Sequence, residues 1–277
     1  MKSSLLRYSV ALGLTVAIIS LNSCKKDTTD SDLTSSYNLA QADETYNDVH
    51  NIADEAVTNG SVTYKTDDAN SLLAGCAVVT RDTVAMPHTA TIDFGTGCTG
   101  VDGRTRSGKI LVSYDGPYRA AGTTITITFD NFFVNGNQVL GTKTIHNDGT
   151  NGDGFMSFSV NVSGQLVLAS GAGTISWTSQ RTRVWIAGES TQTRDDDQYS
   201  ITGSGSGTAA NGDQFNATIQ TPLIRNLAPG CRGHFTQGTV LIQRTGRPDR
   251  LVDFGNGNCD DEAVVTINGH THLIHLH

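Results

Sequence analysis

From Thr124 to Phe129 the chain reads TITITF, with Ile125, Ile127 and Phe129 alternating against Thr124, Thr126 and Thr128. A period of two sends successive side chains to opposite faces of an extended strand, so one face is apolar and the other carries hydroxyls. Such a strand belongs in a sheet with one buried and one exposed face. Asn135-Gly136 follows, and both residues tolerate the positive φ that a two-residue hairpin turn demands. The same combination of alternating runs and turn dipeptides predicts further hairpins through Ser163-Gly164, Asn211-Gly212 and Asn268-Gly269. Near Asp130-Asn131 the apolar parity switches, because Phe132 and Val134 fall on the face opposite Ile127. A β-bulge there would absorb the shift.

Short connections make sequence neighbours pair in space, which predicts an antiparallel meander. Roughly a dozen strands is too many for one flat sheet. The expected fold class is therefore mainly β, a large antiparallel meander curled into a barrel or two-layer sandwich, with one N-terminal amphipathic helix. A composition of 30 Gly and 5 Pro in 277 residues fits many strands joined by tight turns. A lipid-embedded barrel fits poorly, because SQRTRVWIAG and TRDDDQYSITGSG put charge and glycine where an outward apolar band would be required.

The helix is expected over residues 38–58. Leu39, Ala42, Tyr46, Val49, Ile52, Ala53, Ala56 and Val57 recur at spacings of three and four, on one face, and Gly60 stops the run. A lid over one face or end of the sheet is the favoured role; a docking element for a partner is the alternative.

Residues 1–23 carry Lys2 and Arg7, then the apolar run VALGLTVAIISL from Val10 to Leu21, then Leu21-Asn22-Ser23-Cys24. This is the three-part build of a signal peptide, and the run is too short to span a bilayer. The closing Leu-Asn-Ser-Cys resembles the lipobox of bacterial lipoproteins, and the Lys and Asp residues that follow resemble the surface-export signal of the Bacteroidota type. The resemblance covers about 30 residues and implies a diacylglycerol on Cys24, a membrane partner through that anchor, and an outer-membrane location, with outward display as the looser expectation. Residues 24–37, CKKDTTDSDLTSSY, hold few apolar side chains and are expected to form a flexible tether. Residues 38–277 are expected to form one β-rich domain. Without residues 1–23 the chain retains 17 Lys and Arg against 27 Asp and Glu, a net charge of −10. That balance argues against a nucleic-acid surface.

Two stretches echo one another. Cys76 opens CAVVTRD and the chain returns as TATIDFGTG to Cys98; Cys231 opens CRGHFTQGTVLIQR and the chain returns as LVDFGNGN to Cys259. In an antiparallel hairpin the start of one strand lies beside the end of its partner, so pairings of Cys76 with Cys98 and of Cys231 with Cys259 are expected among the three connectivities that four cysteines allow. A four-cysteine metal site lacks any Cys-x-x-Cys spacing, so no metal is expected. Gly95-Thr96-Gly97-Cys98-Thr99-Gly100 imitates a dinucleotide fingerprint, but Gly103, Gly108 and β-type alternation follow where a helix is required.

No nucleophile elbow, zinc-protease or phosphate-loop motif is present in the sequence. Asp93 and Asp253 are the symmetric candidates for paired-carboxylate chemistry on a glycan; the competing role is to bond backbone N–H groups of the glycine turn that follows each. Asp195 to Asp197, Asp260 to Glu262 and the stretch Asn147 to Gly154 are acidic or turn-rich, yet none has calcium-loop spacing. His270 and His272 would face opposite to His275 and His277 on a regular strand, so the four cannot converge on one ion. Trp177, Trp185 and Tyr199 are the aromatic candidates for ligand contact, although Ile175, Trp177 and Trp185 share one parity and suit a core. The leading expectation is a non-enzymatic binding or structural protein, with a glycan or apolar ligand and no cofactor. A glycan hydrolase is the alternative.

Overall fold

The computed structural model describes residues 30–58, 71–73, 75–191 and 193–276. Cys24, the signal segment, Gly60 and His277 lie outside the described residues. A helix, α1 (Thr34–Thr58), precedes strands β1 (Val78–Asp82), β2 (His88–Asp93), β3 (Cys98–Thr99), β4 (Thr105–Tyr114), β5 (Thr124–Val134), β6 (Asn137–Thr150) and β7 (Met156–Val167). Strands β8 (Thr174–Ala187), β9 (Gln198–Thr208), β10 (Gln214–Asn226), β11 (Gln237–Gln243), β12 (Arg250–Asn256), β13 (Glu262–Ile267) and β14 (His270–His275) complete it. One 14-stranded sheet follows chain order, with the short β3 set aside against β4. Its pairings are antiparallel throughout, as the short turns require. Among the described residues β1 and β14 remain the two edges. The sheet curls without closing, and the barrel expectation is not supported.

Local chemistry sets the turns. Asn135 and Gly136 (φ 49° and 79°) close β5 onto β6, and Asn268 and Gly269 (φ 49° and 80°) close β13 onto β14. Asn211-Gly212 lies in the connection from β9 to β10. The parity switch in β5 is a bulge: Asn131 takes φ 47°, and the register against β4 shifts between Ser107 and Lys109. Gly108 opposes it, and a Cβ there would sit 1.8 Å from the Asn131 carbonyl oxygen. The bulge leaves Ile125, Ile127, Phe132 and Val134 all buried.

Ser163-Gly164 is not a turn. Both residues lie inside β7, paired with Thr142 and Gly141 of β6, and the chain reverses later, before β8 at Thr174. Glycine serves another purpose here: a Cβ on Gly164 would lie 1.8 Å from the Tyr46 hydroxyl, which reaches past it to donate 2.8 Å to the Leu140 carbonyl. Glycine inside a strand marks such a close approach.

Helix α1 begins at Thr34, so residues 34–37 are helical rather than tether. Asp32 Oδ1 accepts the Thr34 amide at 3.0 Å and its hydroxyl at 2.6 Å, satisfying donors that a helix start leaves open. The anticipated stripe is buried, from Leu39 through Ala56, yet so are Asp43, Glu44, Asp48, His50, Asn51, Asp54 and Glu55 on the remaining faces. A lid would keep its polar face in water. Instead α1 has partners all along the sheet: Arg81 of β1 donates to the Ala56 carbonyl, Arg106 of β4 to Asp48, Lys143 of β6 to the Tyr46 carbonyl, and Arg181 of β8 to Asp43. The Ala210 amide between β9 and β10 donates to Asn38, His234 beyond β10 meets Glu44, and Arg250 of β12 holds Asp30 just ahead of the helix. A sheet that reaches one helix from both ends of its strand order must curve around it. The helix and the inner faces of the strands share one continuous core.

Arg181 and Arg183 correct a further expectation. Both belong to the inward set of β8, with Arg183 buried, so SQRTRVWIAG contributes Gln180 and Thr182 to the outer face rather than charge. Disulfides join Cys76 to Cys98 and Cys231 to Cys259, across separations of 22 and 28 residues. Each closes a loop worth about 3 kcal/mol on a chain-entropy basis.

Candidate functional site

Six cationic side chains occupy inward positions on strands whose inward residues are mostly apolar: Arg106, Lys143, Arg183, Arg225 and Arg250, all buried, and the half-buried Arg181. Burying a charge is costly unless it is paired and hydrogen-bonded. On one side of the helix, towards β4, the pairing is complete. Arg106 donates from Nε and Nη2 to the two oxygens of Asp48, at 3.0 and 2.6 Å, and from Nη1 to Asp102 at 3.0 Å. Burial alone would lower the guanidinium pKa, but the two carboxylates outweigh it and hold Arg106 above its ordinary value. Arg104 adds Nη1 at 3.5 Å from Asp48. Ahead of the helix, Arg244 contacts Asp30, Asp32 and Asp213. Burial pushes the Asp32 carboxyl up, but bonds from Thr34 and Arg244 prevail and bring it down to about 2.

The middle of the layer differs. Here α1 faces β6 to β9 across a small cavity lined by His50, Lys143, Arg181 and Arg183, with Asp43, Tyr46, Trp177 and Ser179. Its volume is about 20 Å³, counted as space open to the centre of a water-sized sphere; one water needs about 10–15 Å³ on that measure. Asp43 pairs with Arg181 at 2.7 Å, although burial still raises its pKa. Lys143 donates to the Tyr46 carbonyl at 2.8 Å. Burial first, then Arg183 and Arg181, push its ammonium well below the usual lysine range. Arg183 lies 3.5 Å over the Tyr199 ring and donates to His50 Nε2, whose pKa burial and Arg183 push well down.

A second depression lies on the outer face of β8 to β11. Thr178, Ser206, Asn216 and Gln243 form one lateral row in register, and Ser176, Thr208 and Gln214 a second. With Thr245 they line a hollow of about 320 Å³. Its depth follows from β9: Cβ atoms on Gly205 and Gly207 would lie 2.4 Å from the Trp177 ring and 2.9 Å from the Phe215 ring, so small residues let β9 settle onto two stacked aromatics.

The residues singled out in the sequence fall into place as follows. Asp93 Oδ1 accepts the Gly95 amide at 2.8 Å and Asp253 Oδ1 the Gly255 amide at 2.9 Å. That bond, foremost, lowers the Asp93 pKa, with Lys109 3.3 Å from its second oxygen. Asp93 holds the turn after β2 and Asp253 a glycine near the end of β12, on separate strands, and neither lines a cleft described above. Trp177, Trp185 and Tyr199 are core residues. Asp195 pairs with Arg232, Asp196 accepts from Thr191, and Asp197 is buried beneath the Trp185 indole, which donates to it at 3.2 Å. Asn147 lies in β6 with its amide on the Tyr118 carbonyl, and Asn151 caps its own turn. Asp260 caps Glu262, and His275 meets Asp261 at 3.4 Å. Among the described residues no three His, Cys, Asp or Glu side chains gather closely enough to hold a metal ion.

Sequence reading passed over the buried charge layer. Its trace was present: Lys143, Arg183 and Arg225 occupy positions in phase with buried residues, which is unusual for cations in a one-sided sheet. No family model, no curated protein and no solved structure matches this chain.

Proposed function

We propose that this protein is a lipid-anchored outer-membrane or cell-surface β protein with a non-enzymatic role, binding a neutral glycan in the hollow on β8 to β11. The observation that carries the binding reading is the lining of that hollow: seven Ser, Thr, Asn and Gln side chains in register on one face. Hydroxyls and amides both donate and accept, as sugar hydroxyls do, and an apolar ligand would find no matching surface there. A volume near 320 Å³ falls within the range of small-ligand sites. The anchor reading rests on Leu21-Asn22-Ser23-Cys24 and the polar residues after it. Among the described residues no helix is long and apolar enough to cross a membrane, and lipid on Cys24 would perform the attachment. Within this reading the curled sheet forms two facing layers, sandwich-like, with α1 between them.

Calorimetry against a panel of neutral oligosaccharides tests the binding. At least one should bind, and Asn216→Ala with Gln243→Ala should weaken it roughly tenfold, as the loss of one or two hydrogen bonds implies. No binder in the panel, or a double variant that binds like the parent, would remove the reading. Mass spectrometry of the N-terminal peptide tests the anchor separately: Cys24 should carry a diacylglycerol, and an unmodified Cys24 in mature protein contradicts it.

A further inference from the structure

We infer that the cavity between α1 and strands β6 to β9 is a binding site for one small monovalent anion of the chloride class. The site stands apart from the outer-face hollow, and neither depends on the other.

The argument starts from unpartnered atoms. Arg183 Nε and Nη2, Arg181 Nε and His50 Nδ1 are buried and have no hydrogen-bond partner among the described residues. The residues that carry three of them are nearly sealed from solvent, His50 at 1% and Arg183 at 4% exposure. All three side chains line the same cavity.

Every one of these atoms is a donor. Guanidinium nitrogens only donate. His50 Nε2 receives the Arg183 Nη1 hydrogen, so in the neutral ring the remaining proton belongs on Nδ1, which is then also a donor. Among the described residues the buried unpartnered side-chain atoms of the cavity lining are all nitrogens. The site therefore asks for an acceptor. A water molecule would satisfy the donors but leave the excess positive charge of the lining uncompensated.

Charge points the same way. Lys143, Arg181 and Arg183 face the cavity against the single carboxylate of Asp43, which is engaged with Arg181. Even with the Lys143 amine neutral, one guanidinium is left over. Arg225 is buried nearby and also disfavours the Lys143 ammonium, although Glu44 and Asp48 partly offset its own charge. Buried charges of one sign without a counter-ion are the arrangement proteins avoid. Size excludes larger anions: about 20 Å³ of centre space admits a halide or nitrate, not a phosphate ester or a gluconate.

The test is thermal unfolding of the purified chain at fixed sodium concentration and ionic strength, with sodium gluconate replaced stepwise by sodium chloride or bromide. Binding to the folded state alone stabilises it by RT ln(1 + c/Kd), where c is the free anion concentration, so Tm keeps rising with halide concentration above Kd. A rise that begins at millimolar halide and disappears in Arg183→Gln is expected. Because that variant can fail to fold, bromide-soaked crystals of the unaltered protein provide a second reading: an anomalous peak within hydrogen-bond distance of Arg183 and Arg181. Tm curves that superimpose in gluconate and halide, or a cavity that holds only water in bromide, would overturn the inference.

Discussion

At Gly164 one hydrogen atom in place of a methyl decides whether helix and sheet can meet. The Tyr46 hydroxyl occupies the space a Cβ would need, 1.8 Å away, so Gly164→Ala forces the ring off the Leu140 carbonyl. Urea unfolding should show a loss of about 1–3 kcal/mol, the usual penalty for overpacking a filled site, and a loss below 0.5 kcal/mol would mean the ring is not held there. Asp197 carries a pH-dependent consequence. Burial raises its carboxyl to about 6, against the opposing effect of Arg194. A group whose folded pKa lies above its unfolded value, about 3.9, stabilises fully at low pH, and its contribution is lost as pH rises towards 6. Asp197→Asn does not titrate. Its Tm relative to the parent should therefore climb between pH 4 and 6.5 and level off above; a gap that stays flat across that window contradicts the assignment.

At the scale of elements, the pairing of α1 with the inward cations is the decisive interaction. Arg106→Met strands Asp48 in the interior with the Arg104 contact at 3.5 Å as its remaining ion pair among the described residues, and breaking a buried pair from one side costs about 3–5 kcal/mol. Asp48→Leu in the same chain removes the stranded charge. Chemical denaturation should find the double variant more stable than Arg106→Met alone; equal stabilities would show that packing, not charge, had been lost.

Much of this level was legible beforehand. Alternation in TITITF, the Asn-Gly turns at 135 and 268, the bulge at Asn131 and the doubled cysteine hairpins each follow from backbone rules that act over a few residues. What stayed hidden depends on distant partners. Ser163-Gly164 reads as a turn because local rules cannot see Tyr46 arriving from the helix. The start of α1 at Thr34 depends on Asp32 acting as a cap, and the preceding segment is held by Arg244 and Arg250, more than two hundred residues away. The acids on the polar face of α1 look solvated until the arginines opposite them are placed, and the cavity among those arginines was invisible for the same reason. The outer-face hollow depends on lateral register across four strands, which no single run of sequence contains.

For the whole molecule, an open meander of 14 strands gains its curvature by wrapping a helix that is buried on every side. This arrangement ties the start of α1 to the core, because Asp30 and Asp32 are clamped by Arg244 and Arg250 immediately before it.

Native-state hydrogen exchange of the α1 amides tests the wrapped helix most directly. A helix enclosed by the sheet can exchange only when the sheet opens, so its central amides, around Val49 to Ala53, should exchange with the free energy of global unfolding, alongside those of β7 and β8. Exchange of the helix by local opening, orders of magnitude faster than the strands and insensitive to global stability, would show it to be a detachable lid and contradict the account.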